Sequence, residues 1–193
     1  MACSASDPEA RSYIGDAYSS WPCITTAEIL YGLPPWFLYC IGVQETTLLG
    51  YGTVDSPSSS LGWGLFQQTS TVRVTMPGAL ASLPNEPCQS LGTSCGLSGS
   101  NAVPTHFSYR PYLMALLAGQ QLSQYYVYAQ SNCGLSGDSA WEWAACRYNG
   151  SESGCTPSCA YGACVLGYLN YVQSYGVPYN GTVLSGTSYP NQR

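Results

Sequence analysis

Charge is what this chain has least of. Only 8% of its 193 residues are charged, lysine is absent, and five arginines stand against ten acids for a net charge of −5. Such a surface has no basic footprint for nucleic acid or for an anionic membrane. Long apolar runs are missing too: each is interrupted well short of the roughly 20 residues a membrane span needs. No basic segment followed by an apolar run opens the sequence, so no signal peptide is visible, which fits either a trimmed secreted protein or a virion component. Histidine occurs once, at His106. That leaves little material for an imidazole-based metal site, and neither metal nor cofactor is expected.

What is present points to a folded, oxidised protein. Apolar residues make up 45%, enough to exclude a disordered chain, and the length suits one domain spanning residues 1–193. With 17 Tyr and 5 Trp, recognition should rest on stacking and hydrogen bonds rather than on charge. Ten cysteines favour an oxidising compartment, and their even number permits five disulfides. Cys88 and Cys95 could close a short loop. Cys155, Cys159 and Cys164 lie close enough for one local bridge. A zinc site is the competing reading of those three, but their spacing fits no common paired-cysteine pattern.

The helix signals are clear. Thr25 followed by Glu28 reads as a capping box for a short helix that stops at Gly32. Pro34 and Pro35 suit the first turn of a second helix, Trp36 to about Leu49, ended by Gly50 and Gly52. Residues 53–75 read as a loop or small β-flap, and 82–105 as a disulfide-pinned insertion. A long helix is expected from about Pro111 to Gln130, with Leu113, Leu116, Leu117 and Gln120 on one face. Ser139 and Glu142 form a second capping box, opening a helix that carries Trp141, Ala144, Ala145 and Tyr148 and stops at Asn149–Gly150. A last helix covers roughly Ala160–Tyr175, and the tail at 176–193 reads as polar and irregular. The fold class is mainly α: a single helical domain with a small β-flap and disulfide-pinned insertions.

One carboxylate breaks the pattern. Leu38, Ile41, Glu45 and Leu48 share one helical face, so an acid occupies a position where a core residue belongs. An ionised carboxylate buried there without a partner is unfavourable; its pKa should rise, and it should hold a proton near neutrality. Such a group can protonate a leaving oxygen. The alternative is an acid at a helix end, facing solvent or satisfied by a neighbour.

Three segments then occur in order. They are Trp36-Phe-Leu-Tyr-Cys-Ile-Gly-Val-Gln-Glu45-Thr46, Gly62-Trp-Gly-Leu-Phe-Gln67, and Trp143-Ala-Ala-Cys-Arg-Tyr148-Asn149-Gly150, the last preceded by Leu117-Ala-Gly-Gln-Gln-Leu. Over residues 30–175 this set resembles the lytic transglycosylase and goose-type lysozyme superfamily. The resemblance implies an α+β lysozyme-like fold and cleavage of the β-1,4 bond between N-acetylmuramic acid and N-acetylglucosamine in peptidoglycan. It makes Glu45 the catalytic acid. Thr46 stands where the family usually has serine, and Phe66 replaces its usual methionine as an apolar floor. Gln67 and Asn149 would hydrogen-bond sugar substituents or cleft backbone, and Tyr148 would line the cleft. Each has a plainer reading beside it: Tyr148 as a core aromatic, Asn149 as a helix stop, Phe66 and Gln67 as flap packing.

In family transglycosylases the same carboxylate then serves as base toward the sugar's own 6-hydroxyl, giving a 1,6-anhydro product. A hydrolytic enzyme that inverts needs a second carboxylate to activate water. Asp55 is the only acid between the first two segments, and Gln68-Thr69 stand where the goose-type pattern would place an aspartate. The anhydro-forming reaction is therefore favoured over hydrolysis. A catalytically silent glycan-binding component of a virion, and a cysteine-rich effector without glycan chemistry, are the competing classes. The expected partners are glycan strands and, in a phage particle, other virion proteins; the expected setting is extracellular or virion-associated.

Overall fold

The structure, a computed structural model, describes residues 21–46, 66–67, 111–151, 154–179 and 182–188. These are mainly helical, with five helices holding about 70% of the described residues and almost no strand. Apart from Phe66 and Gln67, the segments read as β-flap and insertion lie outside them, as do Gly50 and Gly52.

Helix α1 spans Trp21–Tyr31 and gives way to Gly32 at φ +67, the expected stop. Its start differs from the expectation. Thr25 and Glu28 sit inside the helix rather than at its mouth, both fully buried. The Glu28 carboxylate instead caps the next helix, α2 (Phe37–Thr46), accepting bonds from the backbone N–H groups of Trp36 at 2.8 Å, Leu38 at 2.6 Å and Tyr39 at 3.1 Å. A helix N-terminus presents unsatisfied N–H groups and partial positive charge, which is what a buried carboxylate needs. The acid three residues after a threonine thus serves a partner ten residues ahead, a relation no local pattern encodes.

Pro34 and Pro35 precede α2 rather than open it: the Phe37 N–H closes a turn onto the Pro34 carbonyl at 3.0 Å. Trp36 takes φ +68, a left-handed conformation strained for a tryptophan. Three contacts hold it there: the Glu28 bond, an edge-on contact with Tyr39 at 5.6 Å, and an indole N–H bond of 2.9 Å to the Ser185 carbonyl. From Trp36 to Ile41 every residue is 1% exposed or less. A helix apolar all round belongs at the centre of a fold, and α2 packs against α1, α3 and α5.

Helix α3 (Pro111–Cys133) crosses α1 and α4, burying Leu116, Leu117 and Leu122. Helix α4 (Gly137–Tyr148) starts after Ser136, whose side chain makes no capping bond, so the Ser139–Glu142 box does not form. Its buried Trp141, Ala144 and Ala145 follow the predicted period. Asn149 stays in the right-handed region at φ −75, and Gly150 at φ +75 makes the turn.

Helix α5 spans Ala160–Tyr175, as expected, and lies against α4 and α2. Gly162 makes that approach possible: a Cβ there would lie 2.7 Å from both the Cys146 sulfur and the Glu142 carbonyl oxygen. The tail is not irregular. Strands β1 (Val177–Tyr179) and β2 (Thr182–Leu184) pair antiparallel, Val177 opposite Leu184, with Val177 buried.

Two disulfides, Cys133–Cys155 and Cys146–Cys159, fasten α3 to the loop after α4, and α4 to the start of α5. Cys164 is disulfide-bonded as well. Zinc is thereby excluded at Cys155, Cys159 and Cys164, and so is a bridge between Cys155 and Cys159. Cys40 is a free, buried thiol, so ten cysteines do not make five bridges. The two disulfides fit an oxidising environment. Among the described residues no helix is long and apolar enough to cross a membrane.

Candidate active site

Glu45 is the last residue but one of α2. Leu38 and Ile41 on its face are fully buried, and Glu45 itself is half-buried, at the point where the central helix leaves the core. Burial pushes its carboxyl up from the ordinary 4.5 to about 7, against the lowering effect of a hydrogen bond from Tyr161. That bond, from the Tyr161 hydroxyl to Oε1, is 2.6 Å long. Near neutrality the group is therefore shared between its protonated and ionised forms. A carboxyl that both gives and takes a proton at working pH is suited to acid and base roles in turn.

Tyr161 was not legible as a site residue. It stands in the first turn of α5, 116 positions from Glu45, and in sequence it is one of 17 tyrosines. Its phenol is pushed well above the ordinary 10 by burial first, then by the Glu45 charge and hydrogen bond, and last by Tyr148. It keeps its proton and donates. The Cys159 sulfur fixes this turn, accepting the Gly162 N–H at 3.1 Å while bonded to Cys146. The only local signal was indirect: Cys146 and Cys159 each precede a tyrosine by two residues, Tyr148 and Tyr161.

Tyr148 lies at the end of α4, half-buried against the core, and is the last of the groups that raise the Tyr161 phenol. Its hydroxyl donates a 2.7 Å bond to the Phe66 carbonyl. The second and third segments singled out in the sequence therefore meet, and the Tyr161 pair to Glu45 brings the first beside them. Phe66 is fully buried, its ring in the core cluster. Gln67 is half-buried and takes φ +46, an uncommon conformation that turns the chain. Asn149 is the C-cap of α4; its exposed side chain accepts a bond from Ser151, in keeping with a helix stop. Thr46 ends α2, but its side chain lies outside the described residues, and so does Asp55. Comparison of the chain with family models, with curated proteins and with solved structures returns no match.

Proposed function

We propose that this protein cleaves the β-1,4 bond between N-acetylmuramic acid and N-acetylglucosamine in peptidoglycan, as a lysozyme-like lytic transglycosylase. The observation that carries the reading is the half-buried Glu45 carboxyl, poised at about 7 and held by a buried tyrosine hydroxyl at 2.6 Å. Protonated, Glu45 gives its proton to the bridging oxygen as the bond to the muramic acid C1 breaks. The carboxylate left behind takes the proton of that sugar's 6-hydroxyl as its oxygen bonds to C1. No water is consumed, and the acid returns to its starting state. Desolvation keeps the first step available at neutral pH, and the Tyr161 bond steadies the anion formed between the two steps.

Tyr148 and the Phe66–Gln67 turn form the neighbouring wall of the cleft in this reading, with Asn149 at its rim. The low charge of the chain fits a glycan ligand met through aromatic faces and hydrogen bonds. Digestion of purified peptidoglycan followed by mass analysis tests the proposal. Muramic acid ends in the anhydro form are expected; ends about 18 Da heavier, with water retained, would mark a hydrolytic lysozyme instead. Glu45→Gln should abolish turbidity loss. If wild type releases nothing but still sediments with purified peptidoglycan, the chain is a silent glycan binder.

A further inference from the structure

A cavity lies away from Glu45. It occupies about 470 Å³ between α3 and α4, lined by Gln124, Tyr125 and Tyr128 on one side and Trp143 and Arg147 on the other, with Gly154 and Cys155 closing one end. Trp143 and Tyr148 are five residues apart on α4, about 140° around the helix. Tyr148 faces the main core and the Glu45 site, whereas Trp143 packs into a separate small cluster with Ala129 and Ala140. The cavity is thus a different place from the Glu45–Tyr161 pair.

Its walls are fixed in advance. The Trp143 indole N–H is bonded to the Gly154 carbonyl at 2.7 Å, and Cys155 is linked to Cys133 at the end of α3. Tyr128 stacks on Trp143, with rings 5.4 Å apart and nearly parallel at 14°, yet 51% of Tyr128 remains exposed. An aromatic pair held flat and half open offers a face for the C–H side of a sugar ring. The polar groups around it are of matching kinds. Tyr125 accepts from Gln121 at 2.8 Å and keeps its own O–H to donate. Gln124 supplies an exposed amide, donor and acceptor together, and Arg147 an exposed guanidinium whose planar fork suits a carboxylate. In a chain with five arginines and net charge −5, a cation beside an aromatic shelf selects one acidic substituent, not a polyanion. The volume is at the low end for ligand pockets and suits one substituted sugar rather than a strand.

We propose that this cavity is a second, non-catalytic binding site for a carboxylate-bearing sugar. The ring lies on Tyr128 over Trp143, and the carboxylate meets Arg147. The site goes beyond the cleavage reading and does not need Glu45. The test is a nuclear magnetic resonance titration of the oxidised protein with N-acetylmuramic acid and, separately, with N-acetylglucosamine, which lacks the carboxylate. The Trp143 indole N–H signal should move with the first sugar at millimolar concentration, and about tenfold more of the second should be needed, the worth of one charge-assisted bond. Arg147→Gln should bring the two sugars level, and Tyr128→Ala should abolish both responses while helical circular dichroism is unchanged. In Glu45→Gln the response should persist. No movement at Trp143, equal affinities for the two sugars in wild type, or loss of the response in Glu45→Gln would each overturn the site. The last would trace the signal to the cleft while leaving the cleavage proposal standing.

Discussion

Replacing Glu45 by glutamine should make the protein more stable at neutral and alkaline pH. At about 1.4 kcal/mol per pH unit, moving a carboxyl from 4.5 to about 7 means that ionisation is disfavoured in the fold by about 3 kcal/mol relative to the unfolded chain. Between those two values the folded protein holds a proton that the unfolded chain has released. Wild-type stability is therefore full below about pH 4.5, falls as pH rises, and levels off above about 7. Glutamine keeps the shape and an oxygen to accept the Tyr161 bond, but it does not titrate. The variant should match wild type within about 1 kcal/mol at acid pH, the difference being the exchange of one neutral group for another. It should pull ahead by up to about 3 kcal/mol at pH 8, or about 6–12 °C in Tm for a chain of this size. Thermal or urea unfolding followed by circular dichroism at fixed ionic strength, from about pH 4 to pH 8, measures it. A difference that stays flat across the range, or grows toward acid, would refute the claim that Glu45 is desolvated. The outcome is independent of substrate.

Tyr161→Phe removes the bond that lowers the Glu45 carboxyl, so that carboxyl should titrate above about 7. The alkaline limb of activity should shift upward and kcat should fall about tenfold or more, with KM little changed; an unmoved limb would show that the bond does not act on the acid. Glu28→Gln leaves one acceptor oxygen and an amide against three backbone N–H donors, and should cost about 2–3 kcal/mol by urea titration. The Cys40 thiol, buried and raised by desolvation and by Glu28, should resist iodoacetamide in the native protein. It should label after unfolding without reductant, as peptide mapping would show; rapid native labelling would contradict its burial.

Periodicity and stop residues made most of the helical frame legible. The apolar stripes of α3 and α4 and the limits of α5 needed only spacing and glycine chemistry. Both capping-box expectations failed, because the local pattern does not fix where a helix starts or what its acid binds. Glu28 reads locally as half of a capping box, yet it binds the start of the next helix; Ser139 and Glu142 satisfy the same pattern, and their helix already begins at Gly137. Glu45 was legible because an acid on the face of Leu38 and Ile41 violates the pattern of its own helix. Tyr161 violates nothing. An aromatic in the first turn of an amphipathic helix looks like core, and only the meeting of α2 with α5 makes it a donor to the acid. The hairpin was missed because three-residue strands are too short to show alternation.

The indole of Trp36 reaches across 149 positions to the carbonyl of Ser185. The entry to the central helix is thus secured by a stretch that is made only after α5. A nascent chain can assemble α1, α3 and α4 around their local contacts, but it cannot close this clasp until the hairpin emerges. Clipping by a protease after α5 would open it again, reaching the acid-bearing helix from a cut more than a hundred positions away.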